Sequence, residues 1–103
     1  MRPAVIKTDL GRLAENYRLI REHAGDRPVM AVVKANAYGH GLVRVAKHYE
    51  ALGAEWLAVA LLEEGIALRK AEVRCPILVF GGYNPKQIPE FLRWELNLTV
   101  GSL

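Results

Sequence analysis

Cysteine is nearly absent from this chain of 103 residues, because Cys75 is the only one. A single thiol excludes an intrachain disulfide and a cysteine-based zinc site. Cys75 stands directly before Pro76 at the start of an apolar run. That position indicates a small, half-buried packing residue rather than a nucleophile, and no metal site is predicted.

Basic residues are not clustered either, although the net charge is +3. A nucleic-acid surface needs a basic stripe with interleaved aromatic residues. Here the arginines occur singly on predicted helix faces, where we expect solvated side chains. They are Arg12, Arg18, Arg21, Arg44, Arg69 and Arg93. Nucleic acid is therefore not an expected partner.

Long hydrophobic runs are missing as well. No stretch is long enough to span a bilayer, and no apolar segment preceded by basic residues marks a signal peptide. We therefore expect no membrane partner and a cytoplasmic location.

What the chain does have is a regular alternation of two hydrophobic periods. Apolar runs typical of strands buried on both faces occupy 29–33, 56–60, 75–82 and 96–102. Helical spacing occupies 10–25, 42–52, 62–73 and 84–95. An extended segment opens the chain at 4–10. The order β-α-β-α-β-α-β-α-β, with short loops, predicts a parallel sheet with right-handed crossovers.

Two α/β architectures share this order: an open doubly wound sheet, and a portion (about half) of a β/α (TIM-like) barrel. The phosphate-binding patterns Gly-x-Gly-x-x-Gly and Gly-x-x-x-x-Gly-Lys-Ser/Thr are absent, which weakens the nucleotide-binding doubly wound option. The sequence pattern therefore favours a portion of a barrel. In both architectures active groups gather at the carboxyl ends of the strands, where Lys34, Phe80 and Gly81 fall.

The segment "AVVKANAYGHG" (31–41) ends an apolar strand on a lysine and breaks at once into a glycine-containing loop. Alternation along the strand puts Val32 and Lys34 on one side and Val33 on the other. A partly buried amine at this position is a nucleophile toward carbonyls, and the Tyr38 hydroxyl is suited to hydrogen-bond a phosphate or carboxylate. A lysine that reaches solvent, with Tyr38 packed on the next helix, is equally compatible with the spacing.

Other polar residues are weaker candidates. His40, between two glycines, is suited to be a base, but a hydrogen bond at a helix start is the commoner role. His23 and His48 fall on predicted solvent-facing helix surfaces. Glu63 and Glu64 are explained more simply as first-turn carboxylates that complement the helix dipole.

The same segment resembles the pyridoxal-phosphate lysine motif of alanine racemases. "AVIKTDLGRLAENYRLIR", "LAVALLEEGIALRK" and "CPILVFGG" are similar to that family's opening strand and helix, second strand and helix, and third strand. The resemblance implies a β/α barrel that holds pyridoxal 5'-phosphate in its mouth. It also implies a homodimer that interconverts L- and D-alanine, and so supplies D-alanine for peptidoglycan.

Residue roles follow from the resemblance position by position. Lys34 matches the Schiff-base lysine, which is also one of two acid/base groups working on opposite faces of the substrate. Tyr38 matches the tyrosine that binds the cofactor phosphate, and Val32 and Phe80 match apolar positions that line the cofactor. The family usually has leucine at the position of Phe80, which bears on local packing rather than on the chemistry.

Several parts of the family's site have no counterpart in this sequence. The second base, a tyrosine of the other subunit, lies in a C-terminal β domain, and the arginine at the pyridine nitrogen and most phosphate ligands come from later in the barrel. The resemblance therefore implies that 1–103 is a single partial domain, the N-terminal segment of the barrel. The C-terminal barrel half and the β domain are absent from it, and it is expected to be inactive alone.

Three other functions stay open at this point. The same barrel serves serine and broad-specificity racemases, amino-acid decarboxylases and small cofactor-carrying proteins, and "KANAYGHG" favours racemases without separating alanine from serine. A non-catalytic module that binds the cofactor or assembles with other chains is the second. A Schiff-base aldolase without cofactor is the third, and it leaves Tyr38 and the glycines with no phosphate to bind.

Overall fold

The structure is a computed structural model that describes residues 10–34 and 40–99. Its helices are α1 (Leu10–Ala24), α2 (His40–Leu52), α3 (Leu62–Lys70) and α4 (Ile88–Arg93), the last preceded by a 3-10 turn (Pro85–Gln87). Its strands are β1 (Met30–Val32), β2 (Trp56–Val59), β3 (Ile77–Val79) and β4 (Asn97–Leu98). The predicted alternation of helices and strands is therefore confirmed from position 10 onward, and the opening segment 4–10 lies almost entirely outside the described residues.

The four strands form one parallel sheet in the order β1-β2-β3-β4, so each strand pairs with the next one along the chain. A doubly wound sheet would reverse its order at a switch point and carry helices on both faces. Sequential order with right-handed crossovers keeps the connecting helices on one side, as in a β/α barrel. The predicted fold, an α/β barrel portion, is confirmed.

The hydrophobic core lies between this sheet and the helices. Its central strand residues alternate in sequence: Leu57 and Val59 on β2, and Ile77 and Val79 on β3, all essentially inaccessible to solvent. Ala46 on α2 and Leu68 on α3 belong to the same cluster. Alternate residues of a strand face opposite sides, so this pattern identifies one sheet face as the helix-covered face.

Gly65 explains how α3 packs so closely on the sheet. A Cβ at this position would lie 3.0 and 3.1 Å from the two terminal methyl groups of Leu96 and 3.4 Å from a Val79 methyl. A glycine inside a helix costs about 1 kcal/mol relative to alanine. Here that cost is offset by close contact of the helix with the end of β3 and with Leu96, the residue before β4.

Two predicted helices are shorter or more irregular than the sequence pattern indicates. The predicted 62–73 helix ends at Lys70, because Glu72 adopts a left-handed conformation with φ 69°. The predicted 84–95 helix is split into the 3-10 turn and α4. Its start is confirmed, since Asn84 caps the turn by accepting from the Lys86 N–H and Pro85 takes the first position.

The amino ends of the strands are joined by charged side chains that bond backbone groups. Glu50 on α2 accepts hydrogen bonds from the N–H groups of Arg74 and Cys75 at 2.7 and 2.9 Å. Glu55 accepts from the Val29 N–H at 2.7 Å and forms an ion pair with Arg21, also at 2.7 Å. In barrels this end of the sheet serves stability rather than catalysis.

The prediction that the arginines are only solvated is wrong for two of them. Arg21 is ion-paired with Glu55, and Arg69 donates four hydrogen bonds to backbone carbonyls that join α3 to the start of β3 and the end of α4. Arg18 and Arg44 are exposed as expected. Helical spacing identifies the face on which an arginine lies, but it does not show which loops come within reach of that face.

Cys75 is half-buried and free, as the sequence predicts. Burial raises the pKa of its thiol, and the neighbouring Glu50 carboxylate acts in the same direction. Both effects disfavour the thiolate, which is the reactive form. Cys75 therefore fills space at the amino end of β3.

None of the helices in the described ranges is long and apolar enough to cross a membrane.

Candidate active site

The carboxyl ends of the parallel strands meet at one edge of the sheet. Lys34 follows β1, Ala60 follows β2, and Phe80 follows β3. Because neighbouring strands are in register from Val32 to Ala58 to Leu78, these three residues lie at the same height, each two positions beyond the paired ones. The sequence-based placement of Lys34 and Phe80 at a common edge is confirmed.

Alternation along β1 is confirmed as well. Ala31 and Val33 are buried against the helices, whereas Met30, Val32 and Lys34 are exposed. Val32 and Lys34 therefore share the sheet face that the helices leave uncovered, and Val33 faces the core. In a closed barrel that uncovered face is the interior, and its upper end is the mouth.

Small residues on the middle strand turn this face into a trough. Ala58 and Ala60 form its floor, because they alternate with the core residues Leu57 and Val59. The walls are Val32 and Lys34 on the β1 side, and Leu78 and Phe80 on the β3 side. Strands lie about 4.8 Å apart, so the two walls are about 10 Å apart. We call this arrangement the mouth trough.

The apolar walls of the mouth trough are accessible. Val32 is 48% exposed and Phe80 46% exposed, unlike the core residues one position away from each of them, Val33 and Val79. Large exposed apolar side chains that converge on one edge are typical of a ligand site or an interface. The described side chains here offer apolar contact and one amine.

Lys34 is exposed, and no side chain in the described ranges forms an ion pair with it. An amine at this position becomes reactive when it is partly buried, and the described residues do not bury it. Tyr38 lies outside the described residues, so its predicted phosphate contact stays a prediction.

Glu64 is turned away from the trough and toward the backbone. Its carboxylate oxygen accepts hydrogen bonds from the N–H groups of Ala60 and Leu61 at 3.0 and 2.9 Å. These bonds satisfy donors at the start of α3, as expected for a carboxylate in the first helical turn. The prediction that this residue serves the helix rather than the catalytic rim is confirmed. Glu63 is exposed.

Gly81 lies at the predicted strand end, but its close contact with β2 was not predicted from the sequence. A Cβ at this position would lie 2.1 Å from the Ala60 carbonyl oxygen, so the ends of β2 and β3 approach closely only because this residue is glycine. The signal in the sequence was the Gly81-Gly82 pair directly after a strand.

The described residues contain no group of three or more histidine, cysteine, aspartate or glutamate side chains able to hold a metal ion.

Comparison with known proteins identifies the family. The family model "Alanine racemase, N-terminal domain" matches residues 8–103. The alanine racemase of Synechocystis sp. is 46% identical over 101 residues, which cover 96% of this chain and 27% of that protein. Alanine racemase 2 of Bacillus subtilis is 44% identical over 96 residues, covering 92% of this chain and 24% of that protein.

Solved structures agree with the sequence matches. A Bacillus anthracis alanine racemase with bound L-Ala-P superposes with a TM-score of 0.81 at 43% identity, covering 89% of this chain and 24% of that one. A Bartonella henselae alanine racemase with covalently bound pyridoxal phosphate superposes with a TM-score of 0.76 at 29% identity, covering 87% and 26%. This chain spans about a quarter of the length of these relatives. It belongs to the alanine racemase family, through that family's N-terminal domain.

Proposed function

We propose that this chain supplies the cofactor-carrying part of a pyridoxal-phosphate-dependent alanine racemase, with Lys34 as the residue that carries the cofactor. The observation that supports it most directly is the position of Lys34 at the carboxyl end of β1, on the uncovered face beside the apolar trough. Family membership and the Bartonella henselae relative with covalently bound pyridoxal phosphate support the identity of the cofactor.

The residues present fit this cofactor. Its aldehyde needs a primary amine, which Lys34 offers at the rim, and its flat ring needs apolar walls, which Val32 and Phe80 offer. Between those walls β2 carries only the small side chains of Ala58, which is buried, and Ala60. When bound, pyridoxal phosphate draws electrons from the Cα–H bond of an amino acid and so makes that proton removable. Tyr38 is the proposed phosphate ligand.

Lys34 then has a second task once the substrate is in place. Its Nζ takes a proton from one face of the substrate Cα or returns it there, as a general acid and base. Val32 and Phe80 exclude water from that face and keep the reacting atoms aligned. A racemase also needs a base on the opposite face, and we propose that it comes from polypeptide other than the described residues.

The substrate class and the assembly are parts of the same proposal. The family's name and the L-Ala-P bound to the Bacillus anthracis relative favour alanine over serine. We further propose that the complete enzyme is a cytoplasmic homodimer that provides D-alanine for the cell wall. In that enzyme, residues 1–103 are one partial domain.

Reductive labelling tests the role of Lys34. The chain is mixed with pyridoxal phosphate, reduced with borohydride, and mapped by mass spectrometry. We expect modification concentrated at Lys34 rather than at the other four lysines, and lost in Lys34→Ala. Lys47→Ala is the matched control, because Lys47 is an exposed lysine on α2, and this variant is expected to keep the Lys34 label. Equal labelling of all lysines would contradict the proposal.

A further inference from the structure

The ends of β2 and β3 approach each other at Gly81 more closely than a side chain allows. A Cβ there would lie 2.1 Å from the Ala60 carbonyl oxygen and 3.1 Å from its carbon, whereas real Cβ atoms keep at least 3.0 Å from other heavy atoms. The Gly81 N–H donates to that same oxygen at 2.9 Å. Any L side chain at position 81 therefore forces the two strand ends apart by roughly 1 Å.

The peptide group that meets Gly81 is held at both of its ends. The carbonyl of Ala60 accepts the Gly81 hydrogen bond, and the N–H of Leu61, in the same peptide plane, donates to Glu64 at 2.9 Å. The Ala60 N–H donates to the same carboxylate oxygen at 3.0 Å. This peptide group therefore cannot move away from position 81 without loss of hydrogen bonds at the start of α3.

This contact determines where Phe80 stands. The Phe80 N–H donates to the Val59 carbonyl at 2.9 Å, and the next residue makes the Gly81 bond, so two consecutive hydrogen bonds fix the Phe80 backbone to β2. Its ring forms the wall of the mouth trough opposite Lys34. A displacement of the β3 end by about 1 Å moves that wall, and errors of this size in a site reduce rates by as much as about a hundredfold.

We propose that Gly81 is a positioning residue for the cofactor trough and acts through Phe80. This inference rests on the proposed function, because it assumes that the trough holds the cofactor carried by Lys34. The Glu64 carboxylate is part of the same device, since it fixes the peptide group against which Gly81 packs.

The test compares Gly81→Ala with Gly82→Ala in the labelling experiment. Gly82 has a φ of 99° and open space where a Cβ would stand, so its alanine variant strains the loop without a collision. We expect Gly81→Ala to lower the ratio of Lys34 label to label on the other lysines on the order of tenfold, after correction for the folded fraction measured by circular dichroism. Gly82→Ala is expected to keep that ratio.

A second pair of variants decides the matter if Gly81→Ala does not fold. Glu64→Ala removes the carboxylate acceptor, whereas Glu64→Gln keeps an oxygen that accepts from Ala60 and Leu61. We expect the alanine variant to lose Lys34 selectivity and the glutamine variant to retain it. If a folded Gly81→Ala variant, or the Glu64→Ala variant, kept its selectivity for Lys34, the positioning role of Gly81 would be overturned. The proposed function would not be affected by that result. Absence of selective labelling in the unsubstituted chain would overturn the proposed function, and this inference with it.

Discussion

Arg69 offers the sharpest prediction about stability, because one guanidinium group joins three segments of the chain. Its Nη1 donates to the carbonyls of Val73 and Cys75 at 2.8 and 2.9 Å. Its Nε donates to the Trp94 carbonyl at 2.9 Å, and its Nη2 to that of Glu95, also at 2.9 Å. Substitution by methionine keeps the apolar stem and removes all four donors.

The magnitude follows from the burial of those bonds. Three of them are part-buried and one is exposed, so water replaces the last almost without loss. A net contribution of about 1 kcal/mol for each part-buried bond gives a loss of about 3 kcal/mol for Arg69→Met. For a domain of this size, a change of that order lowers the melting temperature by about 12–24 °C.

Urea denaturation followed by far-ultraviolet circular dichroism measures this loss, since the Trp94 fluorescence is itself perturbed by the change. We expect a lower midpoint with an unchanged slope, as a loss of native stability requires. Arg44→Met is the matched control, because Arg44 is an exposed arginine on α2, and its expected effect is within about 0.5 kcal/mol. Arg69→Lys is expected to recover only part of the loss, because an ammonium lacks the planar fork.

Equal destabilisation by the two methionine variants would refute this reasoning. It would mean that water replaces all four hydrogen bonds and that Arg69 acts as an ordinary surface residue. A changed slope would instead mean that the substitution alters the unfolded or native compactness, which the four-carbonyl contact does not predict.

Two further predictions concern packing and acid stability. Gly65→Ala gains about 1 kcal/mol in helix propensity but crowds Leu96, and we expect a net loss of about 1 kcal/mol in the free energy of unfolding. In a chain that also carries Leu96→Ala this crowding is relieved, so urea denaturation is measured for the two single variants and the double variant. A Gly65→Ala variant more stable than the unsubstituted chain would contradict the close packing. Arg21 and the Val29 N–H lower the pKa of Glu55 from 4.5 to about 2. That stabilisation is complete above about pH 4.5 and is lost as the pH falls toward 2, so Glu55→Gln should flatten the acid limb of a stability–pH curve; an unaltered limb would contradict the ion pair.

Much of the fold is readable from the sequence because the parallel strands are short apolar runs and each is followed by a helical period. The core residues Leu57, Ile77 and Val79 lie in runs that were predicted as buried strands. Boundaries are less readable. The early end of α3 depends on the left-handed conformation of Glu72, which is set by the turn into β3 and not by the apolar pattern.

The site divides in the same way. Alternation along one strand is a local property, so it places Val32 and Lys34 on a shared face without any knowledge of the fold. The sequence alone determined the parallel α/β order, the rim position of Lys34 and, through the "KANAYGHG" segment, the family.

Tertiary structure alone decided what stands opposite and beneath that lysine. The sequential strand order chose a barrel over a doubly wound sheet, the register placed Phe80 across an alanine floor from Lys34, and the chain brought Gly81 against Ala60. These are contacts between residues about 20 or more positions apart along the chain. Such contacts depend on how strands pair and how far loops reach, and no local period of a sequence encodes that distance.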